Sequence, residues 1–222
     1  MYDNIEARGI VLDTSLLKEY DKRLVILTEN LGRITVFANG ARRKNSPLTA
    51  ISQKFVMGTF KLRPSSQNSY TLISADIQES FRDLSLDIEK MAYASYISEV
   101  AGYFTQDGIP AGSVLNLLYV SYNAILKTEI PLRLIKSVFE CKVLDIEGLI
   151  TIEEIENIYK PRVISPSARF ALEFVLSRKI AETYTFNVKE EIIDELYDIM
   201  SKYLKSQSDR HFKSLDILDT LL

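Results

Sequence analysis

The chain has 222 residues, a formal net charge of −3, 46% hydrophobic and 26% charged residues, which is an ordinary globular composition with length for one large domain or two small ones. One cysteine, Cys141, excludes an intrachain disulfide, and with His211 as the one histidine it also excludes Cys/His zinc clusters. No apolar run approaches the ~20 residues of a membrane helix, and the N-terminal MYDNIEARG, acidic at Asp3 and Glu6 with no apolar stretch, does not read as a signal peptide.

The first eighty residues read as five strands. IEARGIVLDT is rich in β-formers, and KRLVILTE is a short apolar run with charged ends. RITVFAN alternates, with Ile34, Val36 and Ala38 on one face and Arg33, Thr35, Phe37 and Asn39 on the other. QKFVMGTFKLR is longer, and its Gly58 marks a bulge or bend; YTLISADI is the fifth. Turns fall at Leu31-Gly32, at Asn39-Gly40 and across residues 64–68. Five short strands in so short a span suit a small closed barrel, for which the five-stranded OB-fold is the natural candidate and an SH3-like barrel the alternative.

After Ser80 the periodicity turns helical. Ser85 is a possible cap for a first helix, with Asp87 and Glu89 in its first turn, and Asp107-Gly108 and Pro110 mark its end. Val114, Leu117, Leu118, Ser121 and Ile125 mark a second helix, and Pro131 suits the N1 position of a third that Gly148 stops. Ser165-Pro166 opens a fourth helix expected to run to about Thr183, Asn187 and Glu190 read as a capping box for a fifth, and SLDILDTLL ends the chain as a short helix. The expected organisation is therefore α+β, with a barrel domain over 1–80 and an all-helical domain over 81–222.

Charge divides along the same line. Residues 1–80 hold 11 Lys and Arg against 8 Asp and Glu, leaving 16 basic against 22 acidic residues in the remainder. Between Glu29 and Asp76 there is no acidic residue at all, while Arg33, Arg42, Arg43, Lys44, Lys54, Lys61 and Arg63 fall inside that window. Such a stretch makes a local positive field whatever the net charge, and points to a polyanion partner; surface lysines and arginines placed for solubility and edge protection are the alternative. Single-strand binding on a small barrel also calls for exposed rings to stack on bases. Phe37 is the best candidate, because Ile34, Val36 and Ala38 already claim the apolar face of its strand. Phe55, Phe60 and Tyr70 lie near Lys54, Lys61 and Arg63, but a barrel phenylalanine more often fills the core. No sequence-reading motif of the zinc-finger or RRM type is present, so binding is expected to be largely independent of sequence.

The block GIVLDTSLLKEYDKRLVILTENLGRITVFANGARRKNSPLTAISQKF resembles the N-terminal domain of the RecO family of bacterial recombination mediators. The features that carry the resemblance are the opening GIVL strand, LTENLGRITVFANGARR, and the spacing of Leu48, Gln53 and Phe55. ESFRDLSLDIEKMAYASYISEV and KSLDILDTL resemble the start of the family's helical domain and its C-terminal helix. The resemblance implies an OB-fold domain followed by a helical domain, and a DNA-binding protein with no catalytic residues. It implies binding of single- and double-stranded DNA and annealing of complementary strands. The implied partners are RecR and the tail of single-strand-binding protein, with RecA loaded indirectly. The implied location is the cytoplasm, in association with the nucleoid. Arg33, Arg42, Arg43 and Lys44 match basic positions of that OB domain and are carried over as DNA contacts, whereas Lys54, Lys61 and Arg63 rest on charge alone. Many family members carry four zinc-binding cysteines after the third helix. Here residues 147–168 contain neither Cys nor His, so no metal or other cofactor is expected. Adjacent carboxylates such as Glu153-Glu154 and Glu190-Glu191 do not converge on one site along a helix, and no phosphate-binding loop is present, so an enzyme is disfavoured. A module that docks the acidic tails of partner proteins is the other reading of the basic barrel.

Overall fold

The computed structural model describes residues 3–65, 69–127 and 129–221. The chain separates into two compact units, one comprising Met1–Leu86 with Thr105–Leu115 and the other Asp87–Phe104 with Asn116–Leu222. The first contains β1 (Ile5–Leu17), β2 (Asp21–Thr28), β3 (Gly32–Ala38), the single-turn α1 (Leu48–Ile51), β4 (Met57–Pro64) and β5 (Ser69–Glu79). Residues 66–68 of the expected turn between β4 and β5 lie outside the described residues.

The strands close in the order β1-β2-β3-β5-β4, with β1 hydrogen-bonded to both β2 and β4. All pairings are antiparallel except β3 with β5, and this is the topology of an OB-fold. The alternation expected for β3 holds residue by residue: Ile34, Val36 and Ala38 are buried and Arg33, Thr35 and Phe37 are half-buried on the other face. The interior is filled by Val11, Leu24, Ile26, Ile34, Val36 and Phe60 among others. Each such side chain contributes roughly 1.5–3 kcal/mol on burial. The register between β4 and β5 shifts at Met57/Gly58, as the glycine predicts, and a Cβ on Gly58 would lie 2.2 Å from the carbonyl oxygen of Asp76. β4 is shorter at its start than expected. Residues 52–56 instead follow α1 as an irregular segment beside β1, with Val11 N–H donating to Val56 (2.9 Å) and Phe55 N–H to Val11 (2.9 Å). Phe55 and Phe60 are both buried.

Residues 105–111 join the barrel at its β2–β3 end. The Arg33 N–H donates to Gln106 O (3.2 Å), the Gly108 N–H to Leu31 O (3.0 Å) and the Ala111 N–H to Glu29 O (3.0 Å). Gly32 sits under this segment at φ +68°, and a Cβ there would lie 2.0 Å from Gln106 O, so both conformation and space require glycine.

The second unit is helical: α2 (Ile88–Phe104), most of α3 (Gly112–Leu126), α4 (Leu132–Ile146), α5 (Ile152–Tyr159), α6 (Pro166–Ser177), α7 (Glu190–Gln207) and α8 (Lys213–Leu221). Several caps differ from the expected ones. Asp87, not Ser85, caps α2, its carboxylate accepting from Glu89 N–H (2.9 Å) and Lys90 N–H (3.1 Å), while residues 82–85 form a 3-10 turn. Pro131 stands at the N-cap of α4, one position ahead of the expected N1. Ser165 caps α6 with Pro166 next, as expected, but α6 stops at Ser177, short of Thr183. α7 starts at Glu190 with Lys189 at its N-cap and no side-chain cap; Asn187 accepts instead from its neighbour Val188 N–H at 2.9 Å. α5 was not expected: Thr151 caps it, its Oγ1 accepting from Glu154 N–H (3.2 Å) and donating to Glu154 Oε2 (2.9 Å).

The 147–168 segment has no soft donors for a structural zinc, and Cys141 lies buried in α4, where burial pushes its thiol pKa up. Polar contacts with α7 hold the segment. Asp198 accepts from Tyr159 Oη (3.0 Å), Arg162 Nη1 (2.7 Å) and Lys202 Nζ (2.8 Å), and Glu195 accepts from Ser165 N–H (2.7 Å) and Oγ (2.6 Å).

Helix α4 is the core of this unit: every residue from Leu134 to Leu144 is buried. Its charged residues therefore need partners inside the protein. Lys142 Nζ donates to Asp145 (2.8 Å) and to the carbonyls of Val175 (3.2 Å) and Leu176 (3.3 Å), capping the C-terminus of α6. Lys136 and Glu140 form a fully enclosed ion pair at 2.7 Å; Lys136 also donates to Ser201 Oγ (3.0 Å), and Glu140 accepts from Tyr96 Oη. The Tyr197 ring lies 4.1 Å from the Lys136 ammonium. Glu140→Ala strands that ammonium and is expected to cost about 3–5 kcal/mol in a urea melt, whereas the paired change Lys136→Met with Glu140→Leu should recover most of the loss.

Glu99 on α2 caps α8, accepting from Lys213 N–H (3.2 Å), Ser214 N–H (3.0 Å), Ser214 Oγ (2.7 Å) and Arg210 Nη2 (3.2 Å). Burial alone would raise the Glu99 pKa, but the hydrogen bonds from Ser214 and Lys213 and the charge of Arg210 outweigh it and hold the carboxyl below its ordinary value of 4.5. Its stabilisation is thus complete above that value and is lost as pH falls through the lower folded pKa. Thermal melts from pH 6 to 3 should show a shallower acid loss for Glu99→Gln than for the native chain.

Candidate nucleic-acid interface

The register places an outward-facing row across four strands. Arg23 on β2 pairs with Phe37 on β3, Phe37 with Thr71 on β5, and Thr71 with Arg63 on β4. Directly paired residues share a face, so a cation, a ring, a hydroxyl and a second cation lie in line. Three strand spacings separate the ends, roughly 14 Å. Arg23 and Arg63 are exposed, Phe37 and Thr71 half-buried, and the Arg23 guanidinium lies 3.4 Å from Thr35 Oγ1. Tyr70, one residue from Thr71, turns inward and packs against the barrel core.

A second group of cations projects from the loop after β3. Ala41 is buried in the barrel interior, and the next three residues, Arg42, Arg43 and Lys44, are exposed. Gly40 takes φ +70°, and Arg43 N–H closes the turn on its carbonyl at 3.0 Å. Thr49 Oγ1 ties the far side of the loop to Ala41 O at 2.8 Å. The loop is also fixed to the β1–β2 turn. Arg42 donates from its backbone to Tyr20 O (2.9 Å) and from its guanidinium to Glu19 O (2.9 Å), and Gly40 N–H donates to Asp21 Oδ1 (2.7 Å). Lys22 joins the group, donating to Ser52 O at 3.1 Å. Partial burial, followed by the positive charge of Arg42, lowers the Lys22 pKa. Like charges held together in this way favour an anion in their midst.

The other expected contacts lie apart from this pair of clusters. Arg33 is half-buried at the end of β3 that residues 105–111 join, opposite the fully buried Leu27. Lys54 lies in the segment beside β1, with its ammonium 5.3 Å from the Phe55 ring centre. Lys61 is exposed but pairs across the sheet with Glu6 on β1, so the window that lacks acids in sequence has one opposite Lys61 in space. Arg23 and Lys22 lie before Glu29 and so outside the acid-free window. For Arg23 the signal was nonetheless present, since alternation from the buried Leu24 and Ile26 turns it outward, whereas Lys22 shares their parity and becomes part of the group only through its contact with Ser52. Among the described residues no group of three or more His, Cys, Asp or Glu is arranged to hold a metal ion, and no helix is long and apolar enough to cross a membrane.

Barrel topology and surface together define an OB-fold protein with a cationic outer face. The chain belongs to the RecO family of DNA repair proteins: the family profile described as recombination protein O N terminal matches residues 1–81, and the one described as recombination protein O C terminal matches residues 85–150. The protein is similar to the DNA repair protein RecO of Acetivibrio thermocellus, with 27% identity over 98% of this chain and 97% of that one. Similarity to DNA repair protein RecO of Clostridium kluyveri is 25% over 98% and 94% of the two chains. For that of Bacillus pumilus it is 38% over a shorter stretch, 53% of this chain and 45% of the relative.

Proposed function

We propose that this protein binds single- and double-stranded DNA on the outer face of its barrel and anneals complementary strands. On this reading it also helps load a recombinase of the RecA type onto DNA coated by single-strand-binding protein. The observation that carries the proposal is the row Arg23, Phe37, Thr71 and Arg63 beside the exposed Arg42, Arg43 and Lys44. Cations along such a path neutralise phosphates and release counterions, and a ring between them receives a base. Neutralisation lowers the repulsion between two strands, so complementary sequences can pair. The process needs no covalent chemistry, and the protein acts as a mediator rather than an enzyme. Membership of a DNA repair family supports this role, and RecR and the tail of single-strand-binding protein are the proposed protein partners. The proposed place of action is the cytoplasm, at the nucleoid.

DNA binding measured across a salt series tests the proposal. Changing Arg42, Arg43 and Lys44 together to Ala is expected to weaken binding at low salt. It should also make the plot of log affinity against log salt on duplex DNA shallower by roughly 2 to 3, at about 0.9 per phosphate contact. An unchanged slope and affinity would remove the loop from the interface. Failure of the native chain to bind any DNA at low salt would favour the docking of acidic protein tails instead.

A further inference from the structure

Tyr20 stands between Glu19 and Asp21, outside the acid-free stretch that holds Arg42, Arg43 and Lys44. In the fold it occupies the turn between β1 and β2, where 43% of its surface is exposed. The turn that carries it is held firmly: its carbonyl accepts from Arg42 N–H at 2.9 Å, the preceding carbonyl accepts from the Arg42 guanidinium at 2.9 Å, and the Asp21 carboxylate accepts from Gly40 N–H at 2.7 Å. The guanidinium of exposed Arg43 lies over the ring, 5.8 Å from its centre. An open aromatic ring thus stands on a fixed turn, beside a cation at the peak of the basic loop.

We infer that Tyr20 is a base-stacking platform for single-stranded nucleic acid, with Arg43 holding the phosphate of the stacked nucleotide. The inference rests on the proposed binding of DNA by the barrel and extends it to strand selectivity. A ring carried on a turn already held in place loses only side-chain freedom when a base stacks on it. Tyr20 precedes Arg23 by three residues, roughly 10 Å along the chain, so a strand crossing the row at Phe37 meets a second ring at the hairpin turn. Base faces inside a duplex are occupied by their neighbours, so the ring assists single strands and not duplexes. Asp21 is engaged by Gly40 N–H, and stacking needs a π-face rather than a net charge.

The chain contains no tryptophan, so Tyr20→Trp introduces a single indole at this point. Oligothymidine is expected to quench its fluorescence in step with binding followed by anisotropy of the labelled oligonucleotide, whereas a blunt duplex should bind without quenching. Tyr20→Leu keeps an apolar side chain beneath Arg43 and should lose roughly tenfold or more in single-strand affinity, with duplex affinity within about twofold of native; Tyr20→Phe should retain both. An unquenched indole on saturation, native single-strand affinity in Tyr20→Leu, or an equal loss on both DNAs with a lowered melting temperature overturns the inference and leaves barrel binding intact. Absence of DNA binding by the native chain overturns that reading and this inference with it.

Discussion

The parallel pairing of β3 with β5 is the contact on which the barrel's outer surface depends. Three residue pairs make it: Thr35 with Ser69, Val36 with Tyr70 and Phe37 with Thr71. Through them the antiparallel sheet β3-β2-β1-β4-β5 closes into a barrel, and the free edges that would invite aggregation disappear. The same three pairs set the register of everything outside. A slip of one residue would turn Val36 outward and Phe37 into the core, and would break the line from Arg23 to Arg63. Core and surface are therefore specified together, since the buried Ile34, Val36 and Ala38 dictate that Phe37 faces out.

The basic loop is positioned by the same economy of contacts. Ala41 anchors in the barrel interior and exposes the next three cations at once. Hydrogen bonds to the β1–β2 turn then give those cations a fixed base, so their field has a defined direction although the chain as a whole is acidic. The helical unit treats charge in the opposite manner. Its central helix encloses Lys136, Glu140 and Lys142 and pairs them with one another and with groups of the same unit, and Asp198 and Glu195 bind the 147–168 segment to α7.

Much of the barrel was legible in the sequence because a half-buried strand alternates with period two, which turns Phe37 outward; Phe60 fills the core as a barrel phenylalanine usually does, and Phe55 is buried in the irregular segment before β4. Gly58 announced its register shift for a comparable reason, since a residue without Cβ permits close approach of two backbones. What was not legible depends on partners distant in sequence. Arg23 joins Arg63 only through two intervening strands, and Tyr20 becomes part of the surface only because Arg42 and Gly40 bind its turn. Lys61 looked unopposed until β1 brought Glu6 beside it. Among the helices, apolar spacing located the long ones but not their ends, because several polar residues near each start compete for the same backbone groups. Asp87 prevailed over Ser85 in this way, whereas α5, capped by Thr151, is at 8 residues too short for apolar spacing to mark it.

The most direct test of the central claim is a map of amide chemical-shift changes in isotopically labelled protein as a short oligothymidine is added. Binding on the barrel's outer face predicts that the largest changes fall at Arg23, Phe37, Thr71 and Arg63 and at residues 41–44. Changes confined to helices such as α4 and α7, with the cross-strand row unmoved, would contradict it.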